Sequence, residues 1–290
     1  MKENKKSPKR KVELVVISDV HLGTYGCHAK ELVRYMKSIK PGIVVLNGDI
    51  IDIWSFSKSY WPKAHMQVVK QIISWATKGT KVYYITGNHD EMLRRFVGFK
   101  LGSLSVENKL VLNLNGNKTW IFHGDVFDVT MQHARWLTRL GSVGYNLLIY
   151  INAICNWTLQ KLGKEKISLS KKIKNGVKQA IKFINHFEET CAEIAIHNKY
   201  SHVVCGHIHH PEIKTMKNDH GQVEYLNSGD WVENLTSLEY DKGSWSLFHY
   251  RDHIFPDKED DLEDDSMIYA EKSELFNQML QDIQIRYPVK

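Results

Sequence analysis

Short runs of apolar, β-branched and aromatic residues, each stopped abruptly by polar residues and glycine, set the grammar of the chain. Val12–Ile17 ends at Ser18-Asp19-Val20-His21, Ile43–Leu46 at Asn47-Gly48-Asp49, and Lys81–Ile85 at Thr86-Gly87-Asn88-His89-Asp90. Runs of this length, bounded by turn residues, predict buried strands. Between them the period changes. His28–Ile39 carries Leu32, Val33, Tyr35, Met36 and Ile39 on one helical stripe, closed by Pro41-Gly42. His65–Ala76 predicts a second helix, stopped near Gly79. Alternation of strand and helix predicts a mainly parallel sheet with right-handed crossovers.

Further along, Val111–Leu114 and Thr119–Phe122 flank Asn115-Gly116-Asn117-Lys118, a hairpin signal whose second arm runs into His123-Gly124-Asp125. From Val129 to about Asn198 the pattern is helical throughout. A strand returns at His202–Cys205 and ends at Gly206-His207-Ile208-His209. Glu212–Met216 and Gln222–Leu226 predict a hairpin leading to Asn227-Ser228-Gly229-Asp230, and Ser237–Tyr240 and Ser244–Tyr250 predict two last strands. The expected organisation is a basic, disordered stretch over 1–11, one domain over 12–254 with a helical insertion at about 129–198, and an appendage over 255–290. That appendage joins an acidic run, Asp257–Asp265, to an amphipathic stretch bearing Leu275, Phe276, Met279, Leu280 and Ile283.

Composition adds limits. With 42% hydrophobic and 25% charged residues in 290, the chain reads as a soluble globular protein with a sizeable core. Cys27, Cys155, Cys191 and Cys205 form neither a CxxC pair nor a disulfide framework, so reduced thiols and a cytoplasmic setting are expected. The basic Met1–Lys11 precedes only a short strand-like run, not a signal peptide. The formal charge of +6 is uneven, with a basic stretch over Lys161–Lys182. Such a stretch suits phosphorylated metabolites or an anionic membrane surface; without an aromatic-interleaved groove, nucleic acid is not expected. Just before it, Val143–Leu159 is uncharged and rich in Leu, Ile, Tyr and Trp. Three readings stay open there: a buried lid helix, an acyl-chain pocket or monotopic membrane contact, and a spanning helix. Spanning would leave His123 and His207 on opposite sides unless a second apolar segment returned the chain.

Five strand ends carry metal-ligand residue types. In an extended segment residues i and i+2 project to one side, so Asp19 with His21, and His207 with His209, could each offer two ligands to one ion. Asp49 offers a carboxylate able to bridge, Asn88 an amide oxygen and His123 an imidazole. Nitrogen and hard oxygen without thiolate suit Mn²⁺, Fe²⁺ or Zn²⁺. Seven such ligands match two divalent ions roughly 3.5–4 Å apart, as used for in-line phosphoryl displacement.

These motifs resemble the calcineurin-like metallophosphoesterases, whose signature reads D-x-H, G-D, G-N-H-D/E, H-G and G-H-x-H. The resemblance runs from about Val12 to Tyr250 and implies a four-layer αββα sandwich with a dimetal centre between the sheets. It implies Asp19, His21, Asp49 and His209 on one metal, and Asp49, Asn88, His123 and His207 on the other. It gives His89 the role of transition-state stabiliser or acid, with Asp90 as the expected partner of its ring. Gly48–Trp54, His123–Asp128 and Asn227–Val232 are similar to the branch containing UDP-2,3-diacylglucosamine hydrolases, which split the pyrophosphate of a lipid-linked sugar nucleotide in lipid A synthesis. In that branch the helical insertion is a lid, which here implies substrate contacts from Asn88, His89, Lys164 and Lys166 and a peripheral place on the cytoplasmic face of the inner membrane. The branch reads G-N-R-D where this chain has Gly87-Asn88-His89-Asp90.

Overall fold

The computed structural model describes residues 9–55, 60–127 and 169–255. Strands β1 (Arg10–Ile17), β2 (Ile39–Asn47) and β3 (Lys81–Ile85) alternate with helices α1 (Ala29–Ser38) and α2 (Lys63–Thr77). Strands β4 (Lys100–Leu101), β5 (Leu104–Glu107), β6 (Lys109–Leu114) and β7 (Asn117–Phe122) follow. Helix α3 (Leu169–His197) then precedes β8 (His202–Cys205), β9 (Glu212–Asn218), β10 (Gly221–Asn227), β11 (Thr236–Asp241) and β12 (Ser244–His249). One seven-stranded sheet has the order β12-β11-β1-β2-β3-β5-β4, and a five-stranded sheet the order β6-β7-β8-β10-β9.

The four layers follow from which faces are apolar. Along β1, Leu14 and Val16 point into the core between the sheets, where they meet Val45, Ile85, Ile121, Val204 and Leu226. Val15 and Ile17, on the opposite face, are also buried, as is the apolar stripe Leu32, Val33, Tyr35 and Met36 of α1. A strand covered on both faces needs the continuous apolar run seen here. On the outer face of the second sheet, Phe187, Cys191, Ala192, Ala195 and Ile196 of α3 pack on Val203, Cys205, Val223 and Tyr225. The result is the expected αββα sandwich.

Two local expectations give way. Pro41-Gly42 does not close α1: the chain turns into β2 at Ile39, and pairing of Arg10 with Ile39 and Val12 with Pro41 carries the strand through. The segment after Asp90 holds a short 3-10 helix, Glu91–Phe96, and then β5, a fourth parallel strand beside β3. Four residues, Leu-Ser-Val-Glu, are too short a run to declare themselves. The Asn115-Gly116 hairpin forms with positive φ at both turn residues, the twist that matches two antiparallel strands. Within the insertion, α3 is helical over Leu169–His197. Residues 128–168, with Val143–Leu159, Lys161, Lys164 and Lys166, lie outside the described residues, as does the appendage beyond residue 255.

Candidate metal centre

The parallel strands β1, β2, β3, β7 and β8 all end at the same edge of the sandwich, which collects their loops. Backbone bonds fasten the loops to one another. Asp19 N donates to Gly48 O (3.1 Å), His21 N to Asp49 O (2.9 Å), Gly206 N to His123 O (2.9 Å) and Trp231 N to Asp19 O (3.1 Å). Side chains add cross-links: His89 N donates to Asp49 Oδ1 (2.8 Å) and His207 N to Asp19 Oδ2 (3.1 Å). Glycine permits the approach. A Cβ on Gly87 would overlap the Asp49 carboxylate, and one on Gly48 would overlap the His123 ring.

Asp19 and His21, and His207 and His209, are not extended. All four have φ between 51° and 67°, in the left-handed region, as does Asp49 at 54°. The i, i+2 argument from extended chain is therefore corrected: successive strained turns, not strand alternation, bring each pair round. Asp and His tolerate this conformation better than most residues, and such strain concentrates at functional sites.

Ligand atoms fall into three groups, each within 4.8 Å: Asp19, His21 and His209; His21, Asp49 and His89; and Asp49, His123 and His207. Asp49 and His21 each belong to two groups, so the clusters form one continuous site. Asp19, Asp49 and His123 are almost fully buried. His21 Nε2, His123 Nε2 and Asn88 Oδ1 are buried and make no hydrogen bond among the described residues. Buried acceptors without a proton donor are costly, and two buried carboxylates beside them call for positive charge. Nitrogen and oxygen donors with orphaned lone pairs fit divalent cations.

The outer partners orient the rings. His123 Nδ1 donates to Asn47 O at 2.8 Å, which turns Nε2 toward Asp49 Oδ2 at 3.2 Å. Asp230 Oδ2 stands 3.6 Å behind His209 Nδ1, while His209 Nε2 is 3.3 Å from Asp19 Oδ1. Asp230 is fixed by the N–H groups of Val232 and Asn234 and by the Asn234 amide. Such backing fixes the tautomer and raises ligand basicity.

Asp90 does not partner His89. Its carboxylate accepts Gly87 N (2.6 Å), Ile50 N (3.0 Å) and the Tyr84 hydroxyl (2.6 Å), tying the second and third ligand loops together in the core. The partner is Asp52, whose Oδ2 lies 2.9 Å from His89 Nδ1 and 3.3 Å from His21 Nδ1. Burial opposes charge on Asp52, but the His21 and His89 rings and Ser55 N–H outweigh it and hold the carboxyl below its usual range. Burial likewise lowers the His89 pKa, yet Asp52 and Asp49 raise it overall. Asp52 and Asp230 stand in the motifs Gly48–Trp54 and Asn227–Val232, but nothing in residue type alone marked them as ring partners. His89 is half-buried beside His21, with ring centroids 4.6 Å apart.

With this geometry in place, comparison with known proteins is decisive. The calcineurin-like phosphoesterase family model matches residues 12–211. The chain belongs to that family. It is a metal-dependent hydrolase of the family that uses a dinuclear centre. A UDP-2,3-diacylglucosamine hydrolase of Vibrio vulnificus (strain CMCP6) is 22% identical over 80% of this chain and 95% of its own length. One of Aliivibrio fischeri (strain MJ11) is 24% identical over 81% and 97%. Among solved structures, an archaeal phosphodiesterase aligns at a TM-score of 0.40 and 12% identity, over 81% of this chain and 98% of that one. Among the described residues no helix is long and apolar enough to cross a membrane.

Proposed function

We propose that this phosphoesterase hydrolyses the pyrophosphate of UDP-2,3-diacylglucosamine, giving UMP and 2,3-diacylglucosamine 1-phosphate. The observation that carries the chemistry is the convergence of Asp19, His21, Asp49, His123, His207 and His209 on one sheet edge, with the orphaned Asn88 Oδ1 beside them. The hydrolases similar to it over most of its length support the substrate. Asp19, His21, Asp49 and His209 would hold one divalent cation; Asp49, Asn88, His123 and His207 the other. Mn²⁺ is the metal proposed, with Fe²⁺ and Zn²⁺ compatible with the same donors. When bound, the pair supplies charge neutralisation and a lowered water pKa. His89, held by Asp52, hydrogen-bonds the phosphoryl group and donates a proton to the leaving oxygen. Lys164 and Lys166, outside the described residues, are proposed to meet the phosphorylated head group. We place the protein on the cytoplasmic face of the inner membrane as a peripheral protein, where such a lipid is met.

A second reading is favoured by His89 itself, since the G-N-R-D motif of the branch the chain resembles has Arg at that position. A charged imidazole–carboxylate pair also serves a phosphodiester, a phosphomonoester or another nucleotide diphosphate. Incubation with Mn²⁺ and UDP-2,3-diacylglucosamine, followed by mass spectrometry, separates the two. UMP with the diacylglucosamine 1-phosphate is expected; an untouched substrate alongside cleavage of other phosphoesters would select the second reading.

A further inference from the structure

The segment that leaves the Gly87–Asp90 loop is anchored by its backbone, and its apolar side chains are exposed among the described residues. Leu93 N donates to Asp90 O (2.9 Å), Gly98 N to Val106 O (2.9 Å) and Val106 N to Phe99 O (3.1 Å), while β4 pairs with β5. Yet Met92, Phe96, Val97, Phe99 and Leu101 are 52%, 50%, 38%, 51% and 67% exposed. A frayed loop could fold such side chains inward; a backbone fixed on both sides holds them out. Summed, they expose on the order of 500 Å² of apolar surface, the size of the largest patch on a typical monomer, which is often functional.

The charges around them point to the occupant. Arg94, Arg95 and Lys100 are interleaved with the apolar residues and exposed, against one acid, Glu91, within the run 91–101. Arg94 also pairs with Asp125, which follows the His123 loop, so the segment is braced against the metal centre. Apolar and aromatic side chains mixed with cations insert at the interface of an anionic bilayer. We propose that Met92–Leu101 is a docking surface for an anionic bilayer, which sets the catalytic edge against the lipid. The proposal rests on the lipid-linked substrate reading for its biological sense and specifies the surface that serves it.

The test is co-sedimentation of the full chain with vesicles of phosphatidylcholine alone, or of phosphatidylcholine and phosphatidylglycerol in equal parts. The wild type should sediment with the anionic vesicles and dissociate as salt is raised. Phe96→Ser with Phe99→Ser, and independently Arg95→Glu with Lys100→Glu, should each lower the bound fraction on the order of tenfold or more. Both should keep wild-type turnover of bis-p-nitrophenyl phosphate, a soluble substrate, which shows that they fold. Wild-type binding by both double variants would overturn the proposal and move docking elsewhere in the chain. Failure of the wild type to bind anionic vesicles, or its dimerisation through this patch, would overturn it equally. The vesicles contain no substrate, so a negative product analysis with UDP-2,3-diacylglucosamine leaves this result standing, and the reverse.

Discussion

Replacing Asp52 by asparagine tests the assignment of His89 most sharply. The side chain keeps its size, and an amide oxygen can still accept the Ser55 N–H, which Oδ1 does at 2.7 Å. The charge 2.9 Å from His89 Nδ1 is lost, in a site where Asp52 is only 3% exposed. Partners of this kind are worth roughly 10–100-fold in activity, about 1.4–2.7 kcal/mol of barrier. General acid catalysis by the ring itself is worth about 10²–10⁴-fold. Asp52→Asn should therefore lower kcat toward bis-p-nitrophenyl phosphate by roughly 10–100-fold at saturating Mn²⁺, with little change in KM. Saturating metal matters because the same carboxylate stands 3.3 Å from His21 Nδ1. A double-mutant cycle completes the argument: in a His89→Ala background, Asp52→Asn should cost far less, since both act through one ring. Additive losses, or wild-type kcat in Asp52→Asn, would refute the pairing.

Asp90→Asn should behave differently, costing about 1–3 kcal/mol in urea unfolding because three buried donors lose a carboxylate acceptor, while the folded enzyme keeps most of its kcat at saturating metal. Gly87→Ala forces a methyl into the Asp49 carboxylate, so metal affinity measured by isothermal titration should fall by tenfold or more while helix content by circular dichroism stays unchanged. His65, 2% exposed, accepts the Gly23 N–H at Nδ1, and burial pulls its pKa from 6.5 to about 4. The unfolded chain then binds more protons below pH 6.5, so stability falls with acidity by about 2 kcal/mol between pH 7 and 5. His65→Gln should flatten that portion of the urea-midpoint profile, and an unchanged profile would count against it.

Much of the fold was legible because the burial rule is local for doubly covered strands. Val12–Ile17 and Lys81–Ile85 are apolar almost throughout, and each stops at a residue that must leave the sheet. Leu104–Glu107 was not legible, since its strand character comes from pairing with β3 rather than from its own four residues. At the site, residue types at strand ends pointed to the ligands, but not to the conformation that unites them. The positive φ values of Asp19, His21, His207 and His209 are imposed by bonds between loops, such as Asp19 N to Gly48 O. Chain adjacency misled for Asp90. It lies next to His89 in sequence yet points into the core, whereas Asp52, 37 residues earlier, reaches the ring.

Phosphoester hydrolysis here requires a dinuclear centre built from these side chains. The direct measurement is metal content by inductively coupled plasma mass spectrometry, after dialysis of the purified chain against Mn²⁺ and removal of free ion. About two ions per chain are predicted, as dimetal phosphoryl chemistry requires. His123→Ala should bring the content to about one, and Asp49→Asn, which removes the shared carboxylate, below that. A wild-type protein that holds one ion or none, or ligand variants that retain two, would contradict it.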